Sequence, residues 1–341
     1  MKTYRIAELL GDGIAAELSE SVHRIAEVLP FGLEFEQVDL SVAARQADET
    51  AAYDKAVEAM RRLGSSIKYP TATTETSPNK VLRERCNFHV IHRPVMTIPG
   101  IQTNFTRDLD IDVVRVATGG TYEDKGRLIG AETAVSLRVI ERGPSMHAGR
   151  FAFKLAMMRK THVVSTSKYT IQKAADGLFE SAVEAVSKDY PGIAYRRELF
   201  DALLAGVIMH PERYGVIVCP NEYGDFLSDM ACGLIGSIGL GDSASYAFAD
   251  SGVISLAMFD PAGGTAPDIA GKNVCNPFAA LFALSSLLRH VGEIDSGKSL
   301  RRAVLDCIEA GESTADIGGK LRCDEFTGAV AARFQTMLAG A

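Results

Sequence analysis

Residues 214–229 read YGVIVCPNEYGDFLSD: an apolar run, a short break, then a stretch of helical character. An apolar strand handing over to a helix is the unit from which α/β proteins are built. The same segment carries Asp225 and Asp229, four positions apart, beyond the carboxyl end of that strand. On a helix, residues i and i+4 share a face, where like charges repel. One reading is that Asp225 caps the helix FLSDMACGLIG, accepting from its free N–H groups. That leaves Asp229 without a role. A hard divalent cation accounts for both, because Mg²⁺ and Mn²⁺ favour a few carboxylates plus waters and substrate oxygens.

Outward from this segment the strand-then-helix pattern recurs. TYRIAELL (3–10) reads as a strand, GDG (11–13) as a turn, and IAAELSESVHRIAEVL (14–29) as a helix with apolar residues at helical spacing. LEFEQVDL (33–40) alternates like a second strand, and DKAVEAMRRL (54–63) is an amphipathic helix. DIDVVRVA (110–117) and THVVSTS (161–167) are strand-like, whereas IQKAADGLFESAVEAVSKDY (171–190) is helical. The C-terminal third, with 276–292 and 299–311, is helical again. The fold class is therefore α/β. With 341 residues, 47% of them hydrophobic, the chain exceeds the size at which one core stops growing, so two subdomains are expected. The turn GDGIAAE tempts a Rossmann reading. That fingerprint needs a third glycine, and this region offers Ile14-Ala15-Ala16. A tight turn using Gly for positive φ is the alternative.

Several classes are disfavoured. The 36 basic and 43 acidic residues leave a net charge of −7 with no basic stripe, so nucleic acid is not an expected partner. No apolar stretch approaches the roughly 20 residues of a membrane span. The opening MKTYRIAELLGDG lacks a signal-peptide core. Six scattered cysteines without a C-x-x-C pair suggest reduced thiols in a cytoplasm.

Two further stretches carry chemistry. Arg83 and Arg93 lie in VLRERCNFHVIHRP (81–94), and Arg115 and Tyr122 in DVVRVATGGTY (112–122). Guanidinium groups grip carboxylates bidentately, so converging arginines would imply a polycarboxylate ligand. DPAGGTAPDIAGKNVCNP (260–277) is a long Gly/Pro-rich loop, expected to interrupt two helical regions; loops of this kind are usually functional.

These pieces, with SKYTIQKAADGLF (167–179), FDALLAGVIMHP (200–211) and STADIGGKLRCDEF (313–326), occur in an order that resembles the β-decarboxylating dehydrogenases. That family contains the isocitrate, isopropylmalate and homoisocitrate dehydrogenases. The resemblance runs nearly end to end and is closest to the NAD-dependent isocitrate enzymes. It implies two subdomains sharing a mixed sheet core with a non-Rossmann nucleotide site. Residues 1–95 with 246–341 would form the large nucleotide-binding part, and 96–245 the small part with the dimer interface. Asp225 and Asp229 match the family's metal ligands, and Asp201 the third carboxylate, supplied by the partner subunit of a homodimer. Arg83, Arg93 and Arg115 match the arginines that hold the malate-like carboxylates. Tyr122 and Lys168 match the acid/base pair, with Lys168 again entering from the partner. Gly264, Thr265 and Ala266 fall in the adenosine loop, and Asn276 matches the adenine-contacting asparagine. Asp268 and Ile269 stand where NADP-using members hold the 2′-phosphate; an aspartate there suits the free ribose of NAD.

Ser77 and Asn79, in TATTETSPNKVLRER (71–85), resemble the serine and asparagine that hold a distal carboxylate in isocitrate-type members. The implied reaction is NAD-linked, Mg²⁺- or Mn²⁺-dependent oxidative decarboxylation of a 3-substituted malate with an acidic distal group. Alternatives are homoisocitrate, isopropylmalate or a phosphonate-bearing malate, or a non-catalytic regulatory subunit. The departures point to a specialised paralogue. Gly263 replaces the family's histidine, Thr170 its asparagine after the lysine, Val116 a glutamate, and Ala15-Ala16 a glycine-proline.

Overall fold

The computed structural model describes residues 2–340. In chain order, β1 (Thr3–Leu10), α1 (Ala15–Ala26), β2 (Gly32–Asp39), α2 (Val42–Ala47), α3 (Glu49–Leu63) and β3 (Ser65–Lys68) come first. Next are α4 (Pro78–Arg85), β4 (Val90–Met96), β5 (Asp110–Val116), and the hairpin β6 (Arg127–Ile129) and β7 (Thr133–Val135). The middle continues with α5 (Arg142–Arg159), β8 (Val163–Ser167), α6 (Ala175–Ser187), β9 (Tyr195–Leu199) and α7 (Phe200–Met209). Then follow β10 (Val216–Cys219), α8 (Asn221–Leu234), β11 (Asp242–Phe248) and β12 (Ile254–Pro261). Three helices close the chain: α9 (Phe278–His290), α10 (Ile294–Glu309) and α11 (Cys323–Ala339).

Ten strands form one mixed sheet in the order β2-β1-β3-β12-β11-β4-β5-β10-β8-β9. Two parallel arms, β2 to β12 and β5 to β9, flank three antiparallel pairings, β12·β11, β11·β4 and β4·β5. Three reversals mean that the arms run in opposite directions. Strands of a parallel arm are covered on both faces and read as continuous apolar runs, which is why all four residues of β10 are buried. Helix α9, apolar nearly all round, is buried from Phe278 to Leu288 except Ser286. No described helix is long and apolar enough to cross a membrane. All six cysteines are free and buried.

Three local expectations change. Asp225 and Asp229 lie within α8, not ahead of it. The helix starts at Asn221 with no side-chain cap, so Asp225 caps nothing. The loop after residue 260 follows strand β12, not a helix, and α6 starts at Ala175 rather than 171. The first turn behaves as read: Gly13 has φ +61°, and a side chain there would collide with the Thr265 carbonyl, which accepts the Ile14 N–H at 3.0 Å. The turn thereby anchors the Gly/Pro-rich loop.

Candidate active site

Sheet register creates the site. In the β4·β5 pair Ile91 faces Arg115 and Arg93 faces Val113, so both arginines rise from adjacent strands. Strand β10 pairs in parallel with β5, with Cys219 opposite Arg115, and so delivers the start of α8 beside that arginine. Gly224 permits the approach, since a Cβ there would lie 2.6 Å from the Arg115 Cβ.

Arg115 is 2% exposed. Its Nε donates to Asn221 Oδ1 at 2.8 Å and its Nη1 to Asp225 Oδ1. Arg93 Nη1 reaches Asp225 Oδ1 at 3.3 Å, Ser228 Oγ at 2.7 Å and Asp229 Oδ1 at 3.1 Å. The two like charges on α8 thus converge on one guanidinium nitrogen, which offsets their repulsion within this chain. Burial alone would raise Asp225, but the charges of Arg115 and Arg93 outweigh it and hold the carboxyl below its usual value. Tyr122 Oη donates to Asp225 Oδ2 at 2.9 Å. Burial, then the Asp225 charge, pushes that phenol up to about 12, so it keeps its proton at neutral pH.

Ser77, Asn79, Arg83, Arg93, Arg115 and Tyr122 line one cavity of about 480 Å³, with Asp225 at its edge. Helix α4 supplies Asn79 and Arg83, one turn apart. Burial and the neighbouring Arg115 and Arg93 charges pull Arg83 well below its ordinary value. Arg83 Nε, Arg93 Nε and Asn79 Oδ1 are buried without a partner. Buried polar atoms left unpaired need an explanation, and unsatisfied donors amid excess positive charge call for an anion. Lys80 also lines the cavity and donates to the Tyr122 carbonyl at 2.9 Å. Asn221, part of the motif NEYGDFLSD but given no role from sequence, holds Arg115 and donates to the Gly119 carbonyl at 3.0 Å.

Lys168 and Asp201 are not brought to this cavity. They sit past the ends of the parallel neighbours β8 and β9, and Lys168 Nζ donates to Asp201 Oδ1 at 2.8 Å. The Lys168 hydrogen bond holds the Asp201 carboxyl below its usual value. Among the described residues, no group of three or more His, Cys, Asp or Glu side chains is placed to hold a metal. Asp225 and Asp229 alone converge, offering hard oxygen donors from one chain.

The predicted nucleotide loop is pinned at both ends. Thr265 is fixed by the first turn, Glu17 accepts the Gly271 and Asn273 N–H groups at 3.0 and 2.7 Å, and Asn276 donates to Asp316 at 3.0 Å. Gly264 and Asp268 are exposed, while Ala266 and Ile269 are half-buried around a single 3₁₀ turn.

A family profile described as isocitrate/isopropylmalate dehydrogenase matches residues 5–330. The α subunit of the mitochondrial NAD isocitrate dehydrogenase of Rattus norvegicus is 31% identical over 333 residues, covering 96% of this chain and 89% of that protein. The 3-isopropylmalate dehydrogenase of Archaeoglobus fulgidus is 34% identical over 331 residues, covering 96% and 98%. The crystal structure of isocitrate dehydrogenase from Methylococcus capsulatus matches with a TM-score of 0.90 at 29% identity, over 97% of this chain and 99% of that one. The chain belongs to the isocitrate/isopropylmalate dehydrogenase family. It is therefore an enzyme of the β-decarboxylating dehydrogenase class, and the mixed-sheet fold expected from the resemblance is the one observed.

Proposed function

We propose that the protein oxidatively decarboxylates a malate carrying an acidic group at C3, isocitrate or a close analogue, with NAD as acceptor. The observation that carries this reading is the cavity itself, with three guanidinium groups and the unpaired Nε donors of Arg83 and Arg93. Arg83, Arg93 and Arg115 would hold substrate carboxylates through paired N–H donors. Ser77 and Asn79 would bind the distal acid. The exposed Asp268 disfavours a 2′-phosphate by charge and favours NAD. When bound, NAD supplies the hydride acceptor. A divalent cation, which the oxygen donors of Asp225 and Asp229 fit together with Asp201 of a second copy, supplies Lewis-acid polarisation of the substrate oxygens.

The acid/base steps belong to the chain. Lys168 of a second copy takes the proton from the 2-hydroxyl as C2 is oxidised. After loss of CO₂, Tyr122 returns a proton to carbon. A homodimer with composite sites is supported by the separation of the Lys168–Asp201 pair from its own chain's cavity. Helix α7, which carries Asp201, also exposes Ile208 and Met209, and the β6–β7 hairpin exposes Leu128 and Ile129, apolar surface of the kind a second copy covers. The cavity draws Arg83 and Arg93 from residues 1–95 and Arg115, Tyr122 and Asp225 from 96–245. Six buried free thiols suit a reducing, cytoplasmic setting.

The test is NADH formation with Mg²⁺ across isocitrate, homoisocitrate, 3-isopropylmalate and a phosphonate-bearing malate. Turnover of an acidic malate, abolished by EDTA and restored by Mg²⁺ or Mn²⁺, is the expected result. Failure of the whole panel, or full activity after rigorous chelation, contradicts the proposal.

The glycine-rich loop yields a second expectation. A Cβ at Gly263 meets nothing within 4 Å, so a ring has room there. Gly263→His should lower the KM for NAD by roughly 2- to 10-fold with kcat little changed, the gain of one aromatic stacking contact of about 0.5–1.5 kcal/mol. An unchanged or higher KM for NAD would show that the missing ring is not a cofactor contact.

A further inference from the structure

Arg138 does not line the cavity, and its side-chain hydrogen bonds go to residues not assigned to substrate. Its side chain is 13% exposed and is held between two carboxylates that are almost wholly buried, Asp176 at 0% and Glu222 at 3%. Nη1 donates to Asp176 Oδ1 and Nε to Glu222 Oε1. What each partner holds in turn is informative.

Asp176 uses its second oxygen to accept the backbone N–H of Lys168 at 2.7 Å. Glu222 is the second residue of α8, the helix of Asp225 and Asp229, and follows Asn221, which grips Arg115 at 2.8 Å. Val139, the residue after Arg138, exchanges backbone hydrogen bonds with Gly120 at 2.7 and 3.1 Å, two positions before Tyr122. The guanidinium also lies 5.0 Å from the centroid of Tyr223, whose ring stacks on Phe200, the neighbour of Asp201, at 4.5 Å. One half-buried cation therefore contacts the supports of the base, the acid and all three metal-ligand candidates. Without it, the buried carboxylates of Asp176 and Glu222 would each lose their ion pair.

We infer that Arg138 is a positioning residue that couples the Lys168–Asp201 pair offered to one composite site to the Tyr122 and Asp225/Asp229 groups of the other. The inference rests on the shared-site reading above. A change at one site that moves α8 or the 117–122 loop is carried through Glu222, Arg138 and Asp176 to the Lys168 backbone serving the second site.

Two mixed dimers test it, each with a single working site beside a wild-type copy. In the first, one copy carries Arg138→Gln with Asp225→Asn, so the working site uses the wild-type cavity and the Lys168 of the altered copy. In the second, one copy carries Arg138→Gln with Lys168→Ala, so the working site uses the altered copy's cavity and a wild-type Lys168. Both are expected to lose roughly 10- to 100-fold in kcat, with KM nearly unchanged, relative to the same dimers with Arg138 intact. Arg138→Lys should recover most of the loss, because the charge between Asp176 and Glu222 is kept. A loss in only one of the mixed dimers overturns the coupling. No loss in either, or an Arg138→Lys enzyme as impaired as Arg138→Gln, overturns the positioning role. Reference dimers that are inactive with Arg138 intact would instead refute the shared-site reading on which the inference rests. If Arg138→Gln does not fold, Glu222→Gln, which keeps the side-chain shape, is expected to give a kcat loss in the second mixed dimer, and its absence is equally decisive.

Discussion

Lys168→Ala is expected to lower kcat by roughly 10²- to 10⁴-fold with little change in KM, the range for loss of a positioned general base. The side chain is paired with Asp201 at 2.8 Å and lies outside its own chain's cavity, so its removal leaves the arginine grip on substrate intact. The location of the defect is the sharper part of the expectation. Asp225→Asn should disable the cavity of its own copy, whereas Lys168→Ala should disable that of its neighbour. Equal amounts of the two inactive variants, allowed to exchange subunits, should form mixed dimers with one intact site in two. Random pairing of a twofold assembly then restores roughly a quarter of wild-type activity. No recovery despite demonstrated exchange would mean that each chain completes its own site.

The second large effect concerns substrate choice. Asn79 and Arg83 sit one turn apart on α4 and Ser77 stands just before it, all lining the cavity. The Asn79 amide N–H groups and the Ser77 hydroxyl can donate to an anionic group. Hydrocarbon against these groups leaves them desolvated and unsatisfied, at about 1–3 kcal/mol each. Two such groups disfavour an isopropyl substituent by roughly 10²-fold or more in kcat/KM relative to an acidic one. Asn79→Leu should narrow that ratio mainly by harming the acidic substrate. A wild-type preference for 3-isopropylmalate would refute this assignment of the pocket.

Where the fold was legible in sequence, the signal was local. The strand at 3–10 and the helix after it announce themselves by periodicity and by the GDG turn, and the observed β1 has those bounds. The antiparallel centre was not legible. Strands β4, β11 and β12 pair with segments more than a hundred residues away in places, as when Tyr246 faces Val90, and such pairing leaves no periodic trace. The site divides the same way. The like-charged pair on α8 was visible as a question, but Arg93 as its neutralising neighbour depends on sheet register and on the path of α8 over Gly224. Arg138 carried no signal at all. It is one arginine among many until folding buries it between Asp176 and Glu222. Cys275 and Cys323 read as scattered thiols, yet their sulfurs lie 3.5 Å apart.

The opposed directions of the two parallel arms have an evolutionary consequence. The turn after β1 and the loop after β12 leave one edge of the sheet, whereas Lys168, Asp201 and the start of α8 leave the other. Arg93 and Arg115 belong to the antiparallel strands between them, the one part of the sheet common to both. Mutational drift at either edge can therefore retune one ligand while the central arginines stay in register. Position 263 is a place where such a change would be confined. It lies after β12, in open space, and does not line the cavity that holds Arg83, Arg93 and Arg115. A lineage built on this sheet can exchange its cofactor preference and its choice of acid as separate inherited traits.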